Sequence, residues 1–403
     1  TGIVTSLEAT TGNITTLRSP TGIVTSLEAT TGNITTLRAP TGIVTTFVTN
    51  TAKVGAAVTI TSDGIDASGI GITCANVNGG QIAGRRNIII NGAMQISQRG
   101  PSSSPTNSGD SYPAVDRFIM QNSNSGAYTV SQSSTAPDNR FKNSLKLDVT
   151  TADTALTANQ YCQFQQRIEA QNLQSVVNFR EPTTYSFWVR SNKTGNYSFT
   201  LQQTDNSNRQ MSGQYTINAA DTWEKKIITV PPDSSGAVNN DNGSGLIITW
   251  GLAYGSTYNT GSLSTNNAFK TYATTDFGAG QEVNILDSTS NEWYLTGVQM
   301  EVGTQATDFE HCSVGEELAL CMRYFEKVVC HSFPMAPAGN NGVNSETRIP
   351  YKVHKRSAPT VTKDGNLSLT LNGTNSNNTD HSLGGGNTTA ATYGIHIFAV
   401  ISG

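Results

Sequence analysis

The sequence predicts an all-β protein: a β-repeat fibre shaft shared by three chains, then an antiparallel β-sandwich of the jelly-roll type, one short helix and a small β tip. Three observations carry that expectation. Residues 1–40 are two copies of TGIVTSLEATTGNITTLRSP with one change, Ser19 to Ala39. Only 13% of the 403 residues are charged, against about 25% in an average soluble domain. Polarity comes instead from Thr, Ser, Asn, Gln and Gly, which favour strand surfaces and turns over helices. Beyond Arg86, short runs rich in aromatic and β-branched residues recur between Gly, Asn and Pro, the signature of an antiparallel sandwich.

The shaft is read over residues 1–50. Each half-repeat begins Thr-Gly and carries two aliphatic residues three positions apart: Val4 and Leu7, Ile14 and Leu17, Val24 and Leu27, Ile34 and Leu37, continuing into Val44 and Phe47. A coiled coil needs a three-four alternation, and the recurrent Gly with Pro20 and Pro40 breaks it. Strand residues three apart face opposite sides, so each ten-residue unit is expected to be strand, turn, strand. Its few aliphatic residues cannot fill a core alone, which predicts a homotrimer with these residues on the shared axis. A flexible linker would have no reason to keep Leu7, Leu17, Leu27 and Leu37 in phase.

Residues 51–85 alternate short apolar runs with Gly turns and read as a β-helical neck. Residues 86–312 supply the jelly roll, through NIIINGAMQISQRG, DRFIM, QYCQFQQRI, TTYSFWVRS, GNYSFTLQQ, WEKKIITVP, GLIITWGLAY and EWYLTGVQMEV. The strongest hairpin signal is the Asn192–Asn196 loop between two of these strands. A docked helix is placed at 313–331, with Leu318, Cys321, Met322 and Phe325 on one face and Ser313 with Glu316 as a capping box. Residues 332–403 are expected to form a distal β-rich tip closed by a strand at 395–401, with an Asn/Gly-rich loop from Asn372 to Thr389. Opening on Thr1 rather than Met reads as a fragment.

The set NIIINGAMQISQRG, SFWVRSNKTGNYS, WEKKIITVP and WYLTGVQMEVGTQATDFEHCSVGEELALCMRYFEK, spanning Arg86 to Val329, resembles the C-terminal region of tailed-bacteriophage tail-fibre and related virion appendage proteins. The TGIVTSL repeats resemble fibre shafts of phages that infect marine cyanobacteria. The resemblance implies a jelly roll similar to carbohydrate-binding modules, carried on a trimeric fibre of the virion. Its expected partners are other virion tail or capsid proteins and a host-surface glycan. It also allows a structural calcium in such a module, for which Asp116 and Asp308 are the candidate ligands. A purely structural appendage without receptor contact is the competing expectation, and a glycan depolymerase a third.

Sugars stack on aromatic rings while amides and charged groups meet their hydroxyls. Trp250, Tyr254 and Tyr258, leading from a strand into a polar loop, are therefore the candidate carbohydrate-binding residues, with sandwich core as the alternative for Trp250. Trp188, Trp223 and Trp293 read as packing residues. No Gly-x-Ser-x-Gly elbow, His-Glu-x-x-His or phosphate loop is present. The adjacent carboxylates Glu316 and Glu317 suit a helix N-terminus, so no enzyme is expected. A net charge of −4 with scattered Lys and Arg argues against a nucleic-acid partner, and no apolar run reaches the roughly 20 residues of a membrane helix. Cys312, Cys321 and Cys330 are nine residues apart, unlike zinc-site spacing.

Overall fold

The computed structural model describes residues 85–105, 108–179, 181–205, 209–233, 235, 238–328 and 344–361, together with the backbone of short strands nearer the two ends. The chain divides into two compact units, Thr1–Cys74 and Ala75–Gly403.

In the first unit, β1 (Leu7–Ala9) pairs in parallel with β3 (Leu27–Ala29), Leu7 opposite Leu27. Likewise β2 (Leu17–Arg18) pairs with β4 (Leu37–Arg38), Leu17 opposite Leu37. Identical residues one full repeat apart thus sit side by side within one chain, as turns of a coil do. The leucines are in register together with Glu8, Ala9 and Arg18 and their counterparts; Val4, Ile14, Val24 and Ile34 lie outside the described residues. The neck differs from the expected β-helical rungs. β5 (Thr51–Val54), β6 (Val58–Thr61) and β7 (Gly64–Asp66) form an antiparallel meander, because three-residue and two-residue connections can reverse a chain but cannot carry it round a parallel crossover.

The second unit contains the predicted sandwich. Its strands are β8 (Ser102–Ser103), β9 (Ser108–Ser111), β10 (Ile119–Ser123), β11 (Ala127–Ser133), β12 (Ser144–Thr151), β13 (Tyr161–Glu169), β14 (Thr183–Ser191), β15 (Gly195–Gln203), β16 (Arg209–Ile217), β17 (Glu224–Val230), β18 (Ser244–Tyr254), β19 (Lys270–Thr271) and β20 (Glu292–Val302). One sheet runs β19-β16-β15-β18-β13-β10-β9 and the other β17-β14-β20-β12-β11-β8. Every strand pair in both is antiparallel.

Period-two alternation turns one face of each strand inward: Tyr185, Phe187 and Val189 from β14 meet Tyr197, Phe199 and Leu201 from β15 and Leu246, Ile248 and Trp250 from β18, all buried. Phe187 stacks on Phe199 at 5.4 Å between ring centroids, and Trp250 meets both edge-on at 5.9 and 5.8 Å. Each such ring contributes about 1.5–3 kcal/mol by leaving water, and this contact joins the two sheets. The hairpin expected at Asn192–Asn196 is accordingly not one. β14 pairs with β17 and β20, β15 with β16 and β18, so the loop crosses from sheet to sheet and lays the two apolar faces against each other. A strand-turn-strand sequence reads alike for both arrangements; the facing aromatic sets decide between them.

Gly297 shows how the alternation is corrected in β20. Trp293 and Leu295 point into the core, and so do Val298 and Met300, which requires one extra residue between them. Gly297 supplies it at a bulge, with φ of 61°, opposite the register shift in β14 between Ser186 and Trp188. A Cβ there would come within 2.9 Å of Phe141 and Trp188.

The segment Asn87–Ile96 packs on the sandwich through polar clamps. Gln166, fully buried on β13, bonds both ways with the Ile90 backbone, at 3.1 and 3.0 Å. Asn91, in the left-handed region, binds the carbonyls of Ile96 and Asp116, both at 2.9 Å. The one α-helix longer than a turn among the described residues, spanning Val314–Met322, carries the predicted capping box of Ser313 and Glu316 and seats Cys321 against Ile90 and Ile96. Its other first-turn acid, Glu317, accepts from the Asn91 backbone N–H. Just past it, Arg323 grips Glu169 at the end of β13 through two bonds of 2.8 Å. Farther on, β21 (Asn344–Pro350), β25 (Gly394–Val400) and β24 (Leu383–Gly384) form an antiparallel sheet, and β22 (Leu369–Leu371) pairs with β23 (Thr374–Ser376).

Gly297→Ala is expected to cost about 1–3 kcal/mol, from strain at positive φ and overpacking, read as a lower midpoint in urea. Burial raises the Glu169 carboxyl, but the bonds from Arg323 and Gln171 and the charge of Arg323 outweigh it and hold the group below its usual value. The stability this adds is present above the ordinary carboxylate range and is lost as pH falls through the lowered value. Glu169→Gln should therefore be less stable than the parent at pH 7, with the gap closing in acid; a gap constant down to pH 2 would rule the linkage out.

Candidate functional site

The outward face of β13 carries Tyr161, Gln163, Gln165 and Arg167 at every second position, while Cys162, Phe164, Gln166 and Ile168 face inward. Across the sheet, Gln163 lies opposite Gln121 of β10, and Gln121 opposite Asp110 of β9. On the other side Arg167 lies opposite Ile247 of β18, and Ile247 opposite Gln202 of β15. All of these outward side chains except Asp110 floor a cleft of about 270 Å³.

A β-bulge brings the aromatic wall to this floor. Register shifts on passing from Cys162, which pairs with Ala253, to Gln163, which pairs with Gly251. The extra residue, Leu252, stays in the core, and Tyr254 emerges on the same face as its partner Tyr161. Gly251 and Gly278 leave room for the Tyr254 ring: a Cβ on either would come within 2.5 Å of it. Immediately beyond, the one-turn helix α1 (Ser256–Asn259) holds Tyr258, tied down by Thr257 N–H to the Ala158 carbonyl at 2.9 Å and Gly278 N–H to the Tyr258 carbonyl at 2.7 Å. Tyr161 and Tyr258 pack edge to face at 5.4 Å. Tyr272 and Phe277 complete the wall.

Hydrogen bonds along the floor run in one direction. The Asp110 carboxylate can only accept, so Gln121 donates its Nε2–H to it at 2.6 Å. The free Gln121 carbonyl then accepts from Gln163 Nε2 at 2.9 Å, and the Gln163 carbonyl accepts from the Tyr254 hydroxyl. Arg167 also donates to Asp110, at 2.9 Å. The orientations of the Gln121 and Gln163 amides are thereby set by one carboxylate, and each retains unused donor or acceptor capacity. Burial raises the Tyr254 and Tyr161 hydroxyls above their usual pKa, so both are neutral donors at physiological pH. The cleft offers aromatic faces beside a fixed row of amides, with one guanidinium at its end.

Of the residues singled out from sequence, Tyr254 and Tyr258 line this cleft and Trp250 does not. Its side chain is 0% exposed and sits between the sheets, so it is a core residue; its even position on β18, matching Ile248 and Leu252, turns it inward. Trp293 is likewise core, while Trp188 and Trp223 are half-buried. The two candidate calcium ligands have different surroundings. Asp116 is buried, accepting from Gln98 at 2.6 and 3.1 Å and facing Arg99 at 3.8 Å. Asp308 is 94% exposed beside Arg140. Among the described residues no three His, Cys, Asp or Glu side chains group as metal ligands, and Asp116 has its oxygens engaged by donors, so this pair does not fit a cation. The amide row of β13 was overlooked in the sequence, although Tyr-x-Gln-x-Gln-x-Arg at period two was its visible signal.

No family model matches the chain, and no curated protein matches it. Among solved structures it is similar to the enzymatically active domain of tailspike protein 4 of bacteriophage CBA120, with 12% identity over 54% of this chain and 21% of that one, at a TM-score of 0.29. It is also similar to the family 11 carbohydrate-binding module of a Clostridium thermocellum cellulosomal cellulase, with 11% identity over 50% of this chain and 99% of the module, at a TM-score of 0.27. A Bacteroides thetaiotaomicron protein assigned to sugar binding shares 14% identity over 54% of this chain and its own full length, at a TM-score of 0.29. The chain thus spans about a fifth of the tailspike domain's length.

Proposed function

We propose that the β-sandwich binds a glycan along the outward face of β13, and that the protein is a virion appendage presenting this cleft to a host surface. The observation that carries the reading is the polarised row from Asp110 through Gln121 and Gln163 to Tyr254, set beside Tyr161 and Tyr258. Ring faces take the apolar side of a sugar while fixed amides take its hydroxyls. A site whose donors are already oriented loses little freedom on binding. Seven residues of strand, Tyr161 to Arg167, span roughly 20 Å, enough for several sugar units in a row.

The appendage reading is supported by the resemblance over Arg86 to Val329 to tail-fibre proteins and by the repeat ahead of the sandwich. In this proposal the repeat forms a trimeric shaft joined to other virion tail or capsid proteins, and three clefts on one fibre turn weak single contacts into firm attachment. The role is recognition rather than catalysis.

A glycan array probed with the full chain should give a reproducible hit. On that glycan, Tyr258→Ala is expected to weaken binding about three- to tenfold, the worth of one aromatic contact. Asp110→Asn should weaken it too, although Asp110 serves by orienting the amides. Trp250→Phe should lower thermal stability and leave affinity unchanged. Equal affinity for the parent and Tyr258→Ala would overturn the assignment of the cleft.

A further inference from the structure

Arg167 also lines a second pocket of about 270 Å³, formed by the end of β13, the segment Arg323–Phe325 and residues 355–359. This pocket is basic in a protein whose net charge is −4. Most of its cations are matched: Arg323 by Glu169, Lys355 by Glu326 at 2.5 Å, Arg167 by Asp110, and Arg99 loosely by Asp116 at 3.8 Å. Arg117 and Arg356 are not; among the described residues neither has a carboxylate in ion-pair range. Arg356 is exposed at the rim, and among the described residues its guanidinium bonds only to the Asn242 carbonyl, at 3.1 Å.

Arg117 is the unusual member. It is 4% exposed, its guanidinium lies 3.4 Å over the Tyr324 ring, it donates to the Arg167 carbonyl, and its Nε has no hydrogen-bond partner. Its backbone has φ of 75°, a region that disfavours side chains and recurs at functional sites. A buried charge without a counterion is costly, and an anion entering the pocket would relieve that cost. Arg99, stacked 3.6 Å over Phe325 and 4.8 Å from Tyr112, is held in place to take part.

We propose that this pocket seats an oxyanion carried by a sugar, a carboxylate, sulfate or phosphate, so that the ligand of the neighbouring cleft is an acidic glycan. The choice of a sugar-borne anion rests on the glycan reading of the cleft, because Arg167 borders both cavities; the anion seat itself rests on Arg117 and Arg356.

Calorimetric titration of the full chain with glucose, glucuronate, glucose 6-sulfate and glucose 6-phosphate tests it. At least one acidic sugar is expected to bind tenfold or more tightly than glucose, with the advantage shrinking as salt rises and falling at least threefold in Arg356→Gln, a surface change that leaves the fold intact. Arg117→Gln should abolish the advantage, its thermal melt reporting whether it remains folded. Equal binding of glucose and all three acids, or an undiminished preference in Arg356→Gln, would overturn the proposal. If a neutral glycan binds through Tyr258 while acids gain nothing, the anion seat fails and the cleft stands. If acids bind but Tyr258→Ala changes no glycan's affinity, the cleft reading fails and the seat stands.

Discussion

Everything in the sandwich depends on the aromatic contact among Phe187, Phe199 and Trp250. A strand has two faces, and committing one to the core leaves the other to solvent. Once Phe164 and Trp250 point inward, Gln163, Gln165 and Arg167 must point outward. The cleft is thus the complement of the core. Two bulges adjust that rule where function or packing needs it: Leu252 shifts Tyr254 outward, and Gly297 returns Val298 and Met300 inward.

The polar side of the molecule follows the same economy. Gln166 and Asn91 use their amides to close the backbone groups of the Ile88–Ile96 loop, as buried polar groups must. On the outward face Gln163 bonds instead to Gln121 and Gln121 to Asp110, which leaves part of their capacity open. Composition poor in charge and rich in amides therefore serves both fold and cleft.

Much of this was legible in the sequence. The alternation of TTYSFWVRS and GNYSFTLQQ predicts strands, and the capping box of Ser313 and Glu316 predicts the start of the helix. Leu7 and Leu27 stand in the same phase and prove to be register partners. What the sequence hides is pairing: Asn192–Asn196 looks like a hairpin and is a crossing between sheets, and Thr51–Asp66 looks like rungs and is a meander. Trp250 and Tyr254 are four residues apart in one strand, and only the bulge between them sends one into the core and the other to the cleft. A bulge depends on the partner strand, so no local pattern announces it. The partners that engage Asp116, Gln98 and Arg99, lie eighteen and seventeen positions away, beyond the reach of any local pattern.

In the proposed complex the ligand contacts the outward amides of β13 and its neighbour β10. Side-chain amide resonances of the full chain, labelled with nitrogen-15 at glutamine and titrated with the glycan that binds, report that contact. Gln121, Gln163 and Gln165 should shift in proportion to occupancy while Gln166 and Gln132, whose amides bond to backbone elsewhere, stay still. Binding that leaves Gln121, Gln163 and Gln165 unmoved would place the ligand elsewhere.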